Sequence, residues 1–299
     1  MSAPCVAAIV LTKNEEADLP ACLASLATVV SEIYVVDSGS TDRTVEIAKS
    51  YGAQVLTHPF INQATQFNWA LANVNSAADW ILRIDADERL SEELQQAVRD
   101  RLPNVGSEVS GILIPRRVRF LGRDIRHGDT YPVWLLRLWR KGLGRSEDTW
   151  MDEHIVLSAG NFAKFRGDLI HDIPKNLSDW TQKHDAYAAR MCKSILSAGS
   201  NEGAPLASRQ ATVKRSLNKH LYLRLPAFHR AFLYWFYRYF FRLGFLDGKQ
   251  GLIYHFLQAF WYRFLIDAKL FELRRRAAVG SEPGHGEIVP LPRDSEDAE

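Results

Sequence analysis

Cysteine is scarce, with three residues in 299 (Cys5, Cys22 and Cys192) placed far apart. That excludes a disulfide framework and a cysteine metal cluster, and it fits a reducing compartment. No basic segment followed by an apolar run opens the chain, so no signal peptide is expected. A Gly-x-Gly-x-x-Gly fingerprint is missing, which disfavours a dinucleotide fold of the dehydrogenase kind. There is no internal repeat. Net charge is also small, at +2.

That small net charge hides an asymmetry. Residues 209–276 carry 14 Lys and Arg against 3 Asp and Glu, while residues 277–299 carry 1 against 6. The basic stretch also holds 18 of the 33 aromatic residues. Basic and aromatic together point to a membrane surface or a nucleic acid.

Apolar runs of strand length occur at Val6 to Leu11, Ile33 to Val36, Gln54 to Leu56 and Trp80 to Ile84. Helical patterns separate them, through Leu19 to Leu26, Thr41 to Tyr51 and Ala64 to Asn75. This alternation predicts an α/β fold with a parallel sheet covered on both faces. After Arg101 the texture becomes mixed. Strands are expected at Gly111 to Pro115 and Val133 to Trp139, with a hairpin from Ile155 to Leu157 and Phe162 to Phe165. Leu177 to Leu196 reads as a helix.

The fourth run ends in Asp85-Ala86-Asp87-Glu88. Carboxylates at the C-terminal end of a strand lie where open α/β sheets bind ligands. In a continuing strand Asp85 and Asp87 would point the same way. Just past the strand end they can flank a hard cation such as Mg²⁺ or Mn²⁺. The alternative is a solvated acidic turn that caps the next helix. Asp37 ends the second strand before Ser38-Gly39-Ser40, where a carboxylate can accept the imide N–H of uracil. Here the alternative is a turn organised by Asp37 itself.

Four segments in order carry a likeness: Val10-Leu11-Thr12-Lys13-Asn14-Glu15, Asp37-Ser38-Gly39-Ser40-Thr41-Asp42, Gln66-Phe67-Asn68 and Asp85-Ala86-Asp87-Glu88. Over roughly residues 5–175 the chain resembles family 2 glycosyltransferases with the GT-A fold. More narrowly, with Gly244-Phe245-Leu246-Asp247-Gly248 near its end, it is similar to the bacterial lipopolysaccharide-core β-1,4-glucosyltransferase group. The resemblance implies a GT-A, Rossmann-like mixed sheet over residues 1–196. Composition separately predicts a linker over 197–208, a helical module over 209–276 and an acidic tail over 277–299.

The resemblance also implies an enzyme that inverts the sugar it transfers. Thr12, Asn14, Glu15, Asp37, Ser38 and Ala86 would hold the nucleotide, and Gln66 and Asn68 would lie near ribose or diphosphate. Asp87, with Asp85 and His171, would hold Mg²⁺ or Mn²⁺. The base would be Glu153 or its neighbour Asp152. Arg116, Arg117 and Arg119 are candidates for the diphosphate or an anionic acceptor. The donor expected is UDP-glucose and the acceptor a lipid-linked saccharide such as the lipopolysaccharide core. The rivals are transfer to polyprenyl phosphate or a polyprenyl-diphosphate-linked oligosaccharide, and a non-catalytic membrane-bound nucleotide-sugar-binding protein.

In the basic stretch Phe228, Phe232, Phe236 and Phe240 recur every fourth residue, as do Arg230, Tyr234, Arg238 and Arg242 on another face. Neither helix there has about 20 unbroken apolar residues, so neither spans a bilayer. The pattern predicts helices lying in an anionic membrane surface, with Arg238, Arg242, Arg263 and Arg274 to Arg276 at lipid phosphates. An apolar face this large does not suit nucleic acid. The alternative is an α-hairpin packed on the catalytic domain. The place expected is the cytoplasmic face of the bacterial inner membrane, peripherally bound.

Overall fold

A computed structural model describes residues 5–147, 154–173, 176–197 and 222–278. The chain opens with β1 (Val6–Thr12), α1 (Leu19–Leu26), β2 (Glu32–Asp37), α2 (Thr44–Ser50), β3 (Gln54–Thr57), α3 (Gln63–Asn73) and β4 (Trp80–Asp85). These four strands run parallel, as the apolar runs predict, in the order β3-β2-β1-β4. Strands covered on both faces need apolar residues at every position, and Val6 to Val10 are all buried. Register then sets the ligand edge. Thr12 lies beside Asp37, Leu11 beside Asp85, and Asp37 beside Thr57, so the polar strand ends share one rim.

The second half is β5 (Glu88–Leu90), α4 (Glu92–Arg101), β6 (Val109–Phe120), β7 (Arg123–Ile125) and β8 (Val133–Arg140), then β9 (Gly144–Ser146), β10 (Ile155–Leu157), β11 (Asn161–Lys164) and β12 (Leu169–Asp172). β8 lies antiparallel between β4 and β6, which makes the sheet mixed. One core lies under α1 and α4, with Leu23, Leu94, Ile112, Ile114 and Leu138. The other lies under α3, with Phe67, Ile81 and Trp139. The hairpin expected over 155–165 does not form. β10 pairs with β9, and β11 joins β6 in parallel, taking up backbone groups at its open edge.

Gly167 is needed where it stands. Its φ is +84°, and a Cβ there would collide with the backbone of Glu93 and Leu94 at the start of α4. The Ser91 hydroxyl accepts from Leu94 N at 3.2 Å and from Asp168 N at 2.8 Å. One N-cap therefore starts α4 and aims β12, which carries His171.

The remaining helices are α5 (Leu177–Ser197), α6 (His229–Phe236), α7 (Gly248–His255) and α8 (Tyr262–Ala278). Wider π-helical turns at Tyr237–Phe241 and Phe256–Trp261 extend α6 and join α7 to α8. α5, expected with the catalytic half, packs Ala188 and Cys192 against Ile266 and Leu270 of α8. Among the described residues, no helix is long and apolar enough to cross a membrane.

The expectation that Arg238 faces lipid is corrected, while Arg242 is half-exposed and Arg274 to Arg276 are exposed. Arg238 is buried and donates to Gly128 O and, at 2.8 Å, to Thr130 Oγ1. Arg242 pairs with Asp129 at 2.6 Å, and Arg263 stacks on Tyr234 at 4.2 Å. Arg230 forms a buried pair with Asp267. A guanidinium among aromatic helices gains more from a fixed acceptor than from a screened surface. The aromatic face is the one left open: Phe241 is 70% exposed and Phe232 49%.

Asp247 fastens these helices to the sheet. It accepts from Arg126 N at 3.1 Å and His127 N at 2.9 Å, and it meets His127 Nδ1 at 2.7 Å. Beside it Tyr254 packs on Val118, Phe120 and Ile125. Burial pushes the Asp247 carboxyl up, but bonds from His255, His127 and the backbone outweigh it and bring it down to about 2. A depressed carboxyl stabilises the fold above its ordinary pKa and loses that contribution as pH falls through the lowered value. Asp247→Asn should therefore cost about 2 kcal/mol at pH 7. In urea unfolding the gap between the two proteins should narrow as pH falls from about 4 towards about 2. A gap that does not change with pH would show that Asp247 is not held ionised.

Candidate active site

Two loops meet at the rim. Asp37 is only 3% exposed and accepts Thr12 Oγ1 at 3.0 Å, Gly39 N at 2.9 Å, Ser40 N at 2.8 Å and Ser40 Oγ at 2.5 Å. A carboxylate has about four lone-pair sites, so its turn uses them all. The β1 loop is laced to this turn. Asn14, at φ 54°, donates its N–H to Ser40 Oγ at 2.9 Å and accepts from Thr41 N at 2.8 Å. Lys13 donates to Gly39 O at 2.9 Å, and Glu15 N to Thr44 Oγ1 at 2.7 Å.

Gln66 is buried and donates to Ser38 Oγ at 2.5 Å, so it holds Ser38 from below. Asn68, expected near ribose or diphosphate, spends its amide on Ser146. It accepts from Ser146 N at 2.9 Å and donates to Ser146 O at 3.0 Å.

Asp85 and Asp87 take different partners. The strand ends at Asp85, and Ala86 and Asp87 form a turn into β5, so two-residue alternation no longer applies. Asp85 Oδ2 accepts from Arg137 at 3.1 Å, and Arg83 lies 3.8 Å from Oδ1. Arg137 also donates to Glu88 Oε1 at 3.0 Å. Burial pushes the Asp85 carboxyl up, but Arg137 and Arg83 outweigh it and hold it well below the carboxylate range. Glu88 is pushed up to about 7 by burial, against Arg137 and with help from Asp85 and Asp87. Glu15 is also raised to about 7, by burial and then by Asp87.

Asp87 instead faces His171, with Nε2 3.5 Å from Oδ2. Burial lowers the imidazole pKa against the pull of Asp87, which favours the neutral ring. His171 Nδ1 is buried with no hydrogen-bond partner. Among the described residues, no group of three or more His, Cys, Asp or Glu side chains is arranged to hold a metal. One carboxylate and one neutral imidazole still fit Mg²⁺ or Mn²⁺ bound to a diphosphate, since such ions keep water and phosphate oxygens as their other ligands.

Asp152 and Glu153 lie outside the described residues. Several site residues went unnoticed in the sequence. Arg137 stands alone in the apolar run Val133 to Trp139, and a lone charge in a buried strand signals a buried partner. The charge of Asp87 acts on Lys183 and Tyr187 of α5, and Lys183 acts on Glu15. Their helical spacing gave no sign of that.

The sequence model of the family described as Glycosyl transferase family 2 matches residues 7–166. The lipopolysaccharide core biosynthesis glycosyltransferase LpsC of Rhizobium meliloti (strain 1021) is 30% identical over 189 residues, covering 61% of this chain and 68% of that protein. A glycosyltransferase of Rickettsia bellii (strain RML369-C) is 43% identical over 93 residues, a match that spans only 31% of that relative's length and 31% of this chain. Among solved structures, glucosyl-3-phosphoglycerate synthase from Mycobacterium tuberculosis with Mn²⁺, UDP and glucosyl-3-phosphoglycerate is 23% identical. Its TM-score is 0.31, covering 39% of this chain and 44% of that one.

Removing one partner of a buried charge network leaves the others uncompensated, at about 3–5 kcal/mol. Arg137→Met should lose that much in urea unfolding at pH 7. Glu88→Gln should lose less than about 2 kcal/mol, because Glu88 already carries a proton for much of the time. Equal losses would mean that Glu88 is fully ionised.

Proposed function

The chain belongs to glycosyl transferase family 2, and on that premise we propose that it moves a hexose from a UDP-sugar, with UDP-glucose the first choice, to a lipid-linked saccharide with inversion. The observation that carries this reading is the shared rim. The Asp37 turn and the Asp87–His171 pair lie at the aligned ends of parallel strands. Thr12, Asn14, Glu15, Asp37, Ser38 and Ala86 take the nucleotide. Gln66 positions Ser38, and Asp85 keeps Arg137 and the β4–β5 turn in place. Asp87 and His171 are the residues that would hold Mg²⁺ or Mn²⁺, which when bound neutralises charge on the diphosphate.

Glu153, or Asp152 beside it, takes the proton from the acceptor hydroxyl. The acceptor oxygen then bonds to the anomeric carbon as the bond to the diphosphate oxygen breaks, and UDP leaves. A base on the face opposite the leaving group makes the outcome inversion, as in inverting glycosidases.

The likeness to LpsC supports an acceptor of the lipopolysaccharide-core type. The exposed aromatic face of α6 to α8 supports peripheral binding to a membrane, on the cytoplasmic side where nucleotide sugars are made. With Arg238 turned inward, apolar burial carries much of that binding, and the exposed Arg274 to Arg276 remain to meet lipid phosphates.

Binding to the native state raises the melting temperature, so UDP with Mn²⁺ should stabilise the protein. Asp87→Ala should lose that shift and remain folded. Glu153→Gln should keep it while turnover falls by roughly two to four orders of magnitude. If Asp152→Asn shows the second pattern instead, the base is Asp152. If no UDP-sugar stabilises the native protein and none is consumed, the reading is wrong.

A further inference from the structure

Three consecutive-range arginines, Arg116, Arg117 and Arg119, lie on β6, and strand geometry separates them. Residues paired across a sheet share a face, as do residues two apart on one strand. Glu88 pairs with His171, and His171 pairs with Val118. Arg116, two residues before Val118, therefore shares the face of Glu88 and His171. Along the same face of β6, Ile112 and Ile114 belong to the core, so Arg116 is the first residue beyond it. Arg117 and Arg119 point to the other face.

The pairing follows this division. Arg117 meets Asp124 at 3.1 Å and Asp168 at 3.2 Å. Arg119 meets Asp124 at 3.2 Å and Asp172 at 3.8 Å, and Asp172 also pairs with Arg89. Arg116 has no hydrogen bond and no ion pair among the described residues, and its Nε is buried without a partner. Its charge acts on Glu88 and His171. Of the acids nearby, Asp85 and Glu88 are engaged by Arg137, and Asp87 faces His171.

A half-buried guanidinium that none of the described carboxylates contacts is suited to an anion from outside. Its planar fork matches the paired oxygens of a phosphoryl group. We infer that Arg116, and neither Arg117 nor Arg119, binds a phosphoryl group of the substrates in this site. This rests on the donor-site reading given above. The group is either the donor diphosphate, with its growing charge as UDP leaves, or a phosphate carried by the acceptor.

The test is titration calorimetry on the full chain with three probes. These are UDP with Mn²⁺, inorganic pyrophosphate with Mn²⁺, and glucose 6-phosphate added to protein saturated with UDP and Mn²⁺. Losing one charge-assisted hydrogen-bonding group should weaken binding about ten- to a hundredfold. If Arg116 serves the donor, Arg116→Gln weakens UDP and pyrophosphate together. If it serves the acceptor, only glucose 6-phosphate is weakened. Arg116→Lys should fall between Arg116→Gln and native, and Arg119→Gln should match native for every probe. Because Arg116 has no partner to lose, unliganded Arg116→Gln should melt no lower than native.

The inference is overturned if Arg116→Gln binds all three probes as native does, or if Arg119→Gln loses as much. Native protein that binds pyrophosphate but not UDP, with the binding lost in Arg116→Gln, would overturn the UDP-sugar reading and leave this one standing. Native protein that binds none of the probes would overturn both.

Discussion

The site depends on the Arg137 guanidinium, which reaches from β8 to the turn that ends β4. Glu88 is almost fully buried and Asp85 is largely so, and neither can stay ionised there without a cation. Arg137 supplies one charge for two acids. The pair settles with Asp85 ionised and Glu88 close to sharing a proton. A dry charge network of this kind adds little to stability over an apolar core. What it adds is position: the two-residue turn is pinned, and Asp87 is turned away from Asp85 to face His171.

The same constraint recurs at the C-terminal helices. Arg230, Arg238 and Arg242 each find a fixed acceptor, and Asp247 gathers donors from the β7–β8 connection. Charge has been moved into the seams between elements, and aromatic surface has been moved out. Tyr254 and Val118 close the sheet one residue pair away from Arg116, so the helices that carry the aromatic face stand against the wall of the site.

Much of the parallel half was legible in the sequence, because strands buried on both faces read as unbroken apolar runs. Val6 to Leu11 and Trp80 to Ile84 are found within a residue or so of their observed ends. Legibility failed where partners are distant in sequence. Asp85 and Asp87, expected to flank one cation just past the strand end, take different side-chain partners, Arg137 and His171, which local sequence does not reveal. The 155–165 hairpin looked natural locally, yet β6 and β9 offered those segments better edges. Helical periodicity correctly placed the arginines of α6 on one face. It carries no information on whether that face meets lipid or protein, and here Arg230 meets Asp267 while Arg238 and Arg242 beyond it meet Gly128, Thr130 and Asp129. Lys183 was invisible for the same reason: the carboxylate whose charge it feels, Asp87, is distant in sequence.

The central claim is that the rim built from Asp37 and Asp87 serves a single displacement at a sugar carbon. The stereochemistry of the product tests it most directly. Proton NMR can follow the anomeric signal while the full-length protein consumes UDP-α-glucose with Mn²⁺ and a lipopolysaccharide-core acceptor. The account predicts that the first glucosyl product to appear is the β anomer, formed with stoichiometric UDP. An α-linked product would contradict it, because that outcome needs two displacements or attack from the leaving-group side.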